Sequence, residues 1–251
     1  GGKRVTKPKP WVKYNEIESN KGEFIVAPLV RGMGVTIGNS IRRVLMSSLG
    51  GYSMTGLYID GVKHEFTTIP SVMEDVFQLI SNLKKVVFCE GNKEEYKLKI
   101  EASEKGNVLA KDIQLKDDLT IVNPDTFLFE ITETASVSIE IVIEWGVGYR
   151  SITQSDSGDL LNRIGVDSSF TPILNVNNVV ENIRVGKELD FDELVLTVTT
   201  NGSITPEEAV KQSSSILLNK FQLFGAINEE PIQETESEDN DDSKEGEENP
   251  G

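Results

Sequence analysis

From Trp11 the chain alternates apolar and polar residues over WVKYNEIES and again over GEFIVAPLV, a period of two that buries one face of a strand and wets the other. Asn20, Lys21 and Gly22 supply turn chemistry between the two runs, which together predict a hairpin. The period then changes. In VRGMGVTIGNSIRRVLMSSLGG, residues Ile37, Ile41, Val44, Leu45 and Ser48 fall on one side of a helical wheel, with Leu49 at its edge. This predicts a helix capped by Thr36, running to about Ser48 and stopped by Gly50-Gly51. Alternation returns in SMTGLYIDGVKHEF, whose two halves are joined by Asp60-Gly61, a signal for a tight hairpin.

Ser71 and Glu74 have the spacing of a capping box ahead of Val72, Val76, Leu79 and Leu83, predicting a second helix over 71–84. The middle of the chain is strand-rich: EYKLKIEA sets Tyr96, Leu98 and Ile100 on one side, and SVSIEIVIEW does the same with Val137, Ile139, Ile141, Ile143 and Trp145. Residues 150–169 are polar and irregular and read as a long loop. Two more strands follow in FTPILNVNNVVENIRV and DELVLTVTTNGSI. The last helix is the clearest, with Thr205 as cap, Pro206 in the first position and Glu208 completing a capping box. The order is therefore strands and a helix, a β-rich middle, then strands and a helix again.

Charge alters this picture at one end. Of the formal net charge of −16, −10 lies in residues 229–251 and only −6 in the rest. That tail is too poor in apolar residues to offset its ordering entropy, so it is expected to be disordered. A nearly neutral body lacks the clustered Lys and Arg that non-specific DNA binding needs. The one cysteine, Cys89, excludes an internal disulfide. No apolar run approaches the roughly 18 residues of a membrane span.

Catalytic chemistry finds little to work with. His64 is the only histidine and Cys89 the only cysteine, so a histidine-based triad or a Cys-His metal cluster could draw on only one of each. The acidic stretch DFDE at 190–193 reads as a solvated turn before a strand. Gly32, Gly34 and Gly38 are spaced G-x-G-x-x-x-G, which matches neither the dinucleotide fingerprint nor the P-loop.

The two terminal helices carry unusual faces. Opposite its apolar stripe, the first presents Asn39, Arg42, Arg43, Met46 and Ser47, without the Lys and Glu of an ordinary solvated face. This is either a tolerated surface or a protein interface, where Arg and Met are enriched. The last helix repeats Val210, Ser214, Leu217, Phe221 and Phe224 in steps of four and three, while Ile216, Leu218 and Leu223 widen the apolar area. Burial inside its own domain and contact with a second copy both account for that seam.

The runs PLVRGMGVTIGNSIRRVLMSSLGG and IDGVKHEFTTIPSVMEDVFQLISNLKK, with NPDTFLFEIT and FTPILNVNNVVENIRVGKELDFDELVLTVTTNGSITPEEAV later, resemble the N-terminal assembly domain of bacterial and plastid RNA polymerase alpha subunits. The resemblance covers about residues 14 to 227. It implies an α+β fold of two domains: a dimerisation domain with an antiparallel sheet and two main helices, from residues 11–50 and 170–227, and an inserted β-rich domain, 51–169. Residues 1–10 become a flexible lead and 228–251 a disordered acidic tail.

The function implied is a non-catalytic subunit that homodimerises and scaffolds the beta and beta-prime catalytic subunits, with omega and sigma in the assembled enzyme. It works in bacterial cytoplasm or plastid stroma, needs no cofactor or metal and has no membrane partner. The resemblance assigns the beta interface to Arg43, with Asn39, Arg42, Met46, Ser47, His64 and Glu65 around it. It assigns the beta-prime interface to Lys84 and the region 166–186. The dimer contact falls to Ile37, Ile41, Val44, Leu45, Leu49, Val210, Leu217, Phe221 and Phe224. Two departures stand out: Val147 occupies a place where the family commonly has arginine, and the chain ends without the family's DNA-binding C-terminal domain, so little direct DNA contact is expected. A free-standing dimeric adaptor and a nucleotide-binding protein are the competing readings.

Overall fold

The computed structural model describes residues 8–62, 66–152, 162–186 and 189–232. The first hairpin forms as predicted, β1 (Trp11–Glu18) pairing antiparallel with β2 (Lys21–Val30), although Trp11, Val12 and Ile17 of β1 stay exposed. Asn20 in the turn donates through its amide to the Thr200 carbonyl at 2.9 Å and accepts the Thr200 N–H at 2.8 Å. The turn is thereby fastened to a strand 180 residues later. That strand, β14 (Leu189–Thr200), and its hairpin partner β13 (Ile173–Val185) complete a four-stranded antiparallel sheet in the order β1-β2-β14-β13.

Helices α1 (Met33–Ser47) and α3 (Pro206–Gln222) pack with this sheet and with each other. Phe24, Ile41, Leu45, Leu49, Ile173, Val176, Leu196, Val198 and Ala209 form their common core. Helix α3 starts as its caps predict: Thr205 accepts the Glu208 N–H and the Glu208 carboxylate accepts the Thr205 N–H, each at 3.2 Å. Pro206, Ala209 and Ser213 make its buried stripe, small side chains that let α3 lie close.

A second core belongs to the middle of the chain. Strand β3 (Gly50–Ile59) follows α1 directly and pairs with β9 (Val137–Val147), which pairs with β5 (Glu95–Ala102). Helix α2 (Val76–Leu83) buries Val76, Leu79, Ile80 and Leu83 in this core, with Leu57, Ile100, Phe129, Ile131 and Ile141 among its fully covered side chains. The short strands β4 (Phe88–Cys89) with β7 (Thr120–Ile121), and β6 (Gly106–Leu109) with β8 (Phe127–Ile131), close its margins. The fold is α+β with antiparallel sheets and two hydrophobic cores.

Several local expectations are corrected. Helix α1 begins three residues before Thr36, whose hydroxyl instead donates back to the Gly32 carbonyl at 3.2 Å. Helix α2 begins at Val76, because Ser71 has a left-handed φ of 66° and its carbonyl accepts the Thr132 N–H. Glu74 accepts the Glu130 N–H at 2.8 Å, so the two residues of the expected box serve β8 and the residue just past it. Asp75 and Gln78 form the actual capping box. After Asp60-Gly61 the hairpin is seen only as the bridge between Ile59 and Val62, since 63–65 lie outside the described residues.

The stretch read as a loop also holds structure. β10 (Tyr149–Arg150) pairs with β12 (Ser168–Ser169), and β11 (Ile164–Gly165) adds a fourth strand beside β3. Ile164, Val166 and Ser168 are buried, which polar average composition conceals.

Candidate interaction surfaces

The sheet determines what α1 can show to the outside. A Cβ added at Gly34 would stand 2.8 Å from Val180 Cγ1, and one at Gly38 2.9 Å from Leu194 Cδ1. These two glycines, one turn apart, let the helix backbone lie on β13 and β14. The Gly32 and Gly34 N–H groups donate to the Asp192 carboxylate at 2.8 and 3.0 Å. The donors that a phosphate-binding reading would need are thus already taken by the chain's own anion. Asp192 is 6% exposed inside β14, so the DFDE stretch is part of a strand and not a solvated turn.

With that side seated, Asn39, Arg42, Arg43, Met46 and Ser47 are all exposed on the other. They differ in what they touch. Arg42 Nε donates to the Val176 carbonyl at 3.4 Å, which folds its side chain back toward the sheet. The Arg43 guanidinium has no hydrogen-bond or ion-pair partner among the described residues, although the Arg43 carbonyl accepts the Ser47 hydroxyl at 2.6 Å. His64 and Glu65, expected beside this face, lie outside the described residues.

The residues expected at a dimer contact separate into three groups. Ile41, Leu45 and Leu49 are buried within the protomer, Leu45 to 0% exposure, in the core shared by the sheet and α3. Ile37, Val44, Val210 and Leu217 are half-buried. Phe221 and Phe224 are exposed.

Beyond Leu217 the described residues of α3 and the segment after it are exposed. Every residue from Leu218 to Ile232 is exposed, and Leu218, Phe221, Leu223, Phe224 and Ile227 keep 58% to 74% of their surface in water. Leu223–Ala226 continues the helix as a 3-10 turn, so these apolar side chains share one rod-like end. The seam spacing pointed to part of this; Ile227 lay past the expected pattern. Beside it, Val12, Tyr14, Phe24, Val210 and Ser214 line an open groove of about 640 Å³ between the first hairpin and α3.

Lys84 ends α2 and is exposed. It lies with Lys85, Tyr52, Ser169, Thr171 and Leu174 around a groove of about 460 Å³ where the two cores meet. In the span 166–186, Val166, Ser168 and Phe170 are buried while Leu174 and Val179 are exposed. Val147 is exposed between exposed Trp145 and Tyr149, making an apolar strip at the end of β9. No pattern argument singled out that strip, since alternation had assigned Trp145 to the buried side.

The electrostatics at this junction are structural. Glu144 accepts from the Thr55 hydroxyl and from Arg150 Nη1 at 3.2 Å, while Arg163 Nη2 donates to Thr55 at 3.2 Å. Arg150 also stacks over the Phe170 ring, 5.1 Å from its centroid. Tyr52 packs edge-on to Trp145 and Tyr96 and donates to the Lys93 carbonyl at 2.7 Å. Burial, then the neighbouring Tyr96, pushes its hydroxyl from 10.0 up to about 12. Among the described residues no group of three or more His, Cys, Asp or Glu is placed to hold a metal ion, and no helix is long and apolar enough to cross a membrane.

Comparison with known proteins accounts for this arrangement of two cores. Residues 57–171 match the family model described as the RNA polymerase Rpb3/RpoA insert domain. The chain is 46% identical over 213 residues to the DNA-directed RNA polymerase subunit alpha of Syntrophomonas wolfei, covering 84% of this chain and 67% of that one. It is 42% identical over 222 residues to the subunit alpha of Carboxydothermus hydrogenoformans, covering 88% and 71%. The subunit alpha of Salinibacter ruber is 44% identical over 222 residues, covering 88% and 68%. With this identity along both cores, the chain belongs to the family of DNA-directed RNA polymerase alpha subunits.

Proposed function

We propose that this chain is a non-catalytic assembly subunit of DNA-directed RNA polymerase. Two copies join through the domain built from residues 11–50 and 170–227, and the dimer scaffolds the beta and beta-prime catalytic subunits. Omega and sigma belong to the assembled enzyme, in bacterial cytoplasm or plastid stroma. The role requires no cofactor held by this chain.

The observation that carries the reading is the uncovered apolar end of α3, where Leu218, Phe221, Leu223, Phe224 and Ile227 meet water. A contiguous apolar surface of this kind marks a protein contact. A second copy suits it because the same half-buried groove beside α3 recurs on each protomer, and a two-fold contact uses one patch on both sides. The face of Asn39, Arg43, Met46 and Ser47 is then left for a beta subunit, with Arg43 supplying an unpaired guanidinium. Lys84 and the groove around it offer ammonium and hydroxyl donors to beta-prime.

Co-expression with tagged beta and beta-prime subunits, followed by size exclusion, tests this. A complex containing two copies of the chain and both large subunits is expected. A dimer recovered alone under the same conditions would make it a free-standing adaptor.

A further inference from the structure

We propose that Asp192 is a positioning residue for the recognition face of α1: from β14 it holds the helix start and thereby sets where Arg43 stands. The inference rests on the reading of that face as a large-subunit contact.

Helix α1 brings no cap of its own. Its N-cap is Gly32 in a left-handed conformation with φ 91°, a residue with no side chain to cap it, and its first turn holds no acidic residue. A helix start leaves backbone N–H groups unpaired and carries partial positive charge. One oxygen of Asp192 meets both needs, accepting the Gly32 and Gly34 N–H groups at 2.8 and 3.0 Å across 160 and 158 residues of sequence. It is buried, and among the described residues no cation pairs with it.

The place of this carboxylate gives it more than a capping role. Asp192 pairs with Leu29 in the sheet, next to a register irregularity before Leu194, where β2 is about to leave for α1. Gly34 and Gly38 seat the helix against Val180 and Leu194 with no room for a methyl group. Those contacts determine which side faces the sheet, and Asp192 determines how far along the sheet the helix begins. Because a helix turns by about 100° and rises about 1.5 Å per residue, a slip of one residue would carry Arg43 to another side.

The test uses the full chain as its dimer. In Asp192→Asn, amide exchange over residues 32–36 should rise at least about ten-fold without a matching rise in α3. Beta-subunit affinity should fall at least about five-fold, with the dimer retained. Met33→Glu, which places an anion in the first turn of α1, separates capping from positioning. Combined with Asp192→Asn it should restore amide protection while beta affinity stays low. Recovery of both would overturn the proposal, leaving Asp192 as a cap only. Unchanged exchange in Asp192→Asn, or a uniform rise across the chain, would overturn it too. Asp192→Glu keeps the anion and should bind beta more tightly than Asp192→Asn, so an equal loss in both also counts against it. If Arg43→Ala binds beta as wild type does, the face reading fails separately, and the exchange data still decide the clamp.

Discussion

Arg42 and Arg43 are adjacent in sequence and oppositely used: Arg42 Nε donates to the Val176 carbonyl at 3.4 Å, whereas the Arg43 guanidinium has no partner among the described residues. The first helps hold α1 to β13, and the second stands exposed to solvent.

Arg43→Ala is therefore expected to leave the dimer intact by light scattering and to weaken beta-subunit binding by ~2–5 kcal/mol, the usual cost of truncating a charged group that becomes buried and hydrogen-bonded at a contact. Arg42→Ala should act less on binding and more on stability. Loss of the dimer in Arg43→Ala would mean that the helix faces are assigned wrongly.

Phe221→Asp puts a carboxylate into the apolar end of α3, where Phe221 keeps 62% of its surface exposed. Sedimentation should show monomers, with the unfolding midpoint of the insert core little changed. A Phe221→Asp protein that still sediments as a dimer would move the contact elsewhere.

Leu45→Ala makes the opposite experiment. Leu45 is wholly covered within the protomer, so removing three carbons leaves a cavity and should cost ~2–5 kcal/mol in chemical denaturation. Dimer dissociation measured below the unfolding transition should change far less than in Phe221→Asp.

Alkaline pH should weaken the insert core through Tyr52. Its hydroxyl is held at about 12 in the fold against 10.0 as the ordinary value, because burial and then the nearby Tyr96 disfavour the phenolate. A group raised by folding gives its full stabilisation below pH 10 and loses it as pH climbs toward 12. Ultraviolet titration should find one tyrosine ionising late, and Tyr52→Phe should reduce the loss of stability across that window. An unchanged pH profile in Tyr52→Phe would contradict this origin.

Local rules served well where the interactions are local. The capping box at Thr205 and Glu208 closes within four residues, and the predicted β1–β2 hairpin forms between strands next in sequence. They failed at Thr36 and Ser71, which have sound capping chemistry but lie where the chain has other partners: a distant carboxylate starts α1, and pairing with β8 occupies residues 71–74. The face of α1 was legible because its composition is odd, and the apolar seam of α3 because its spacing is. Asp192 carried no such signal, since an acidic residue near a turn looks solvated until the sheet closes over it.

By itself the sequence determined the α+β class, the division into strand-and-helix ends around a β-rich middle, the start of α3 and the two faces worth testing. Periodicity, caps and composition act over one or two turns, and so they can be read along the chain. Only the tertiary structure decided where α1 begins, which of two neighbouring arginines is free, and which apolar residues the protomer covers for itself. Those outcomes depend on groups more than a hundred residues apart meeting in one place, as Asp192 meets Gly34 and Val176 meets Arg42.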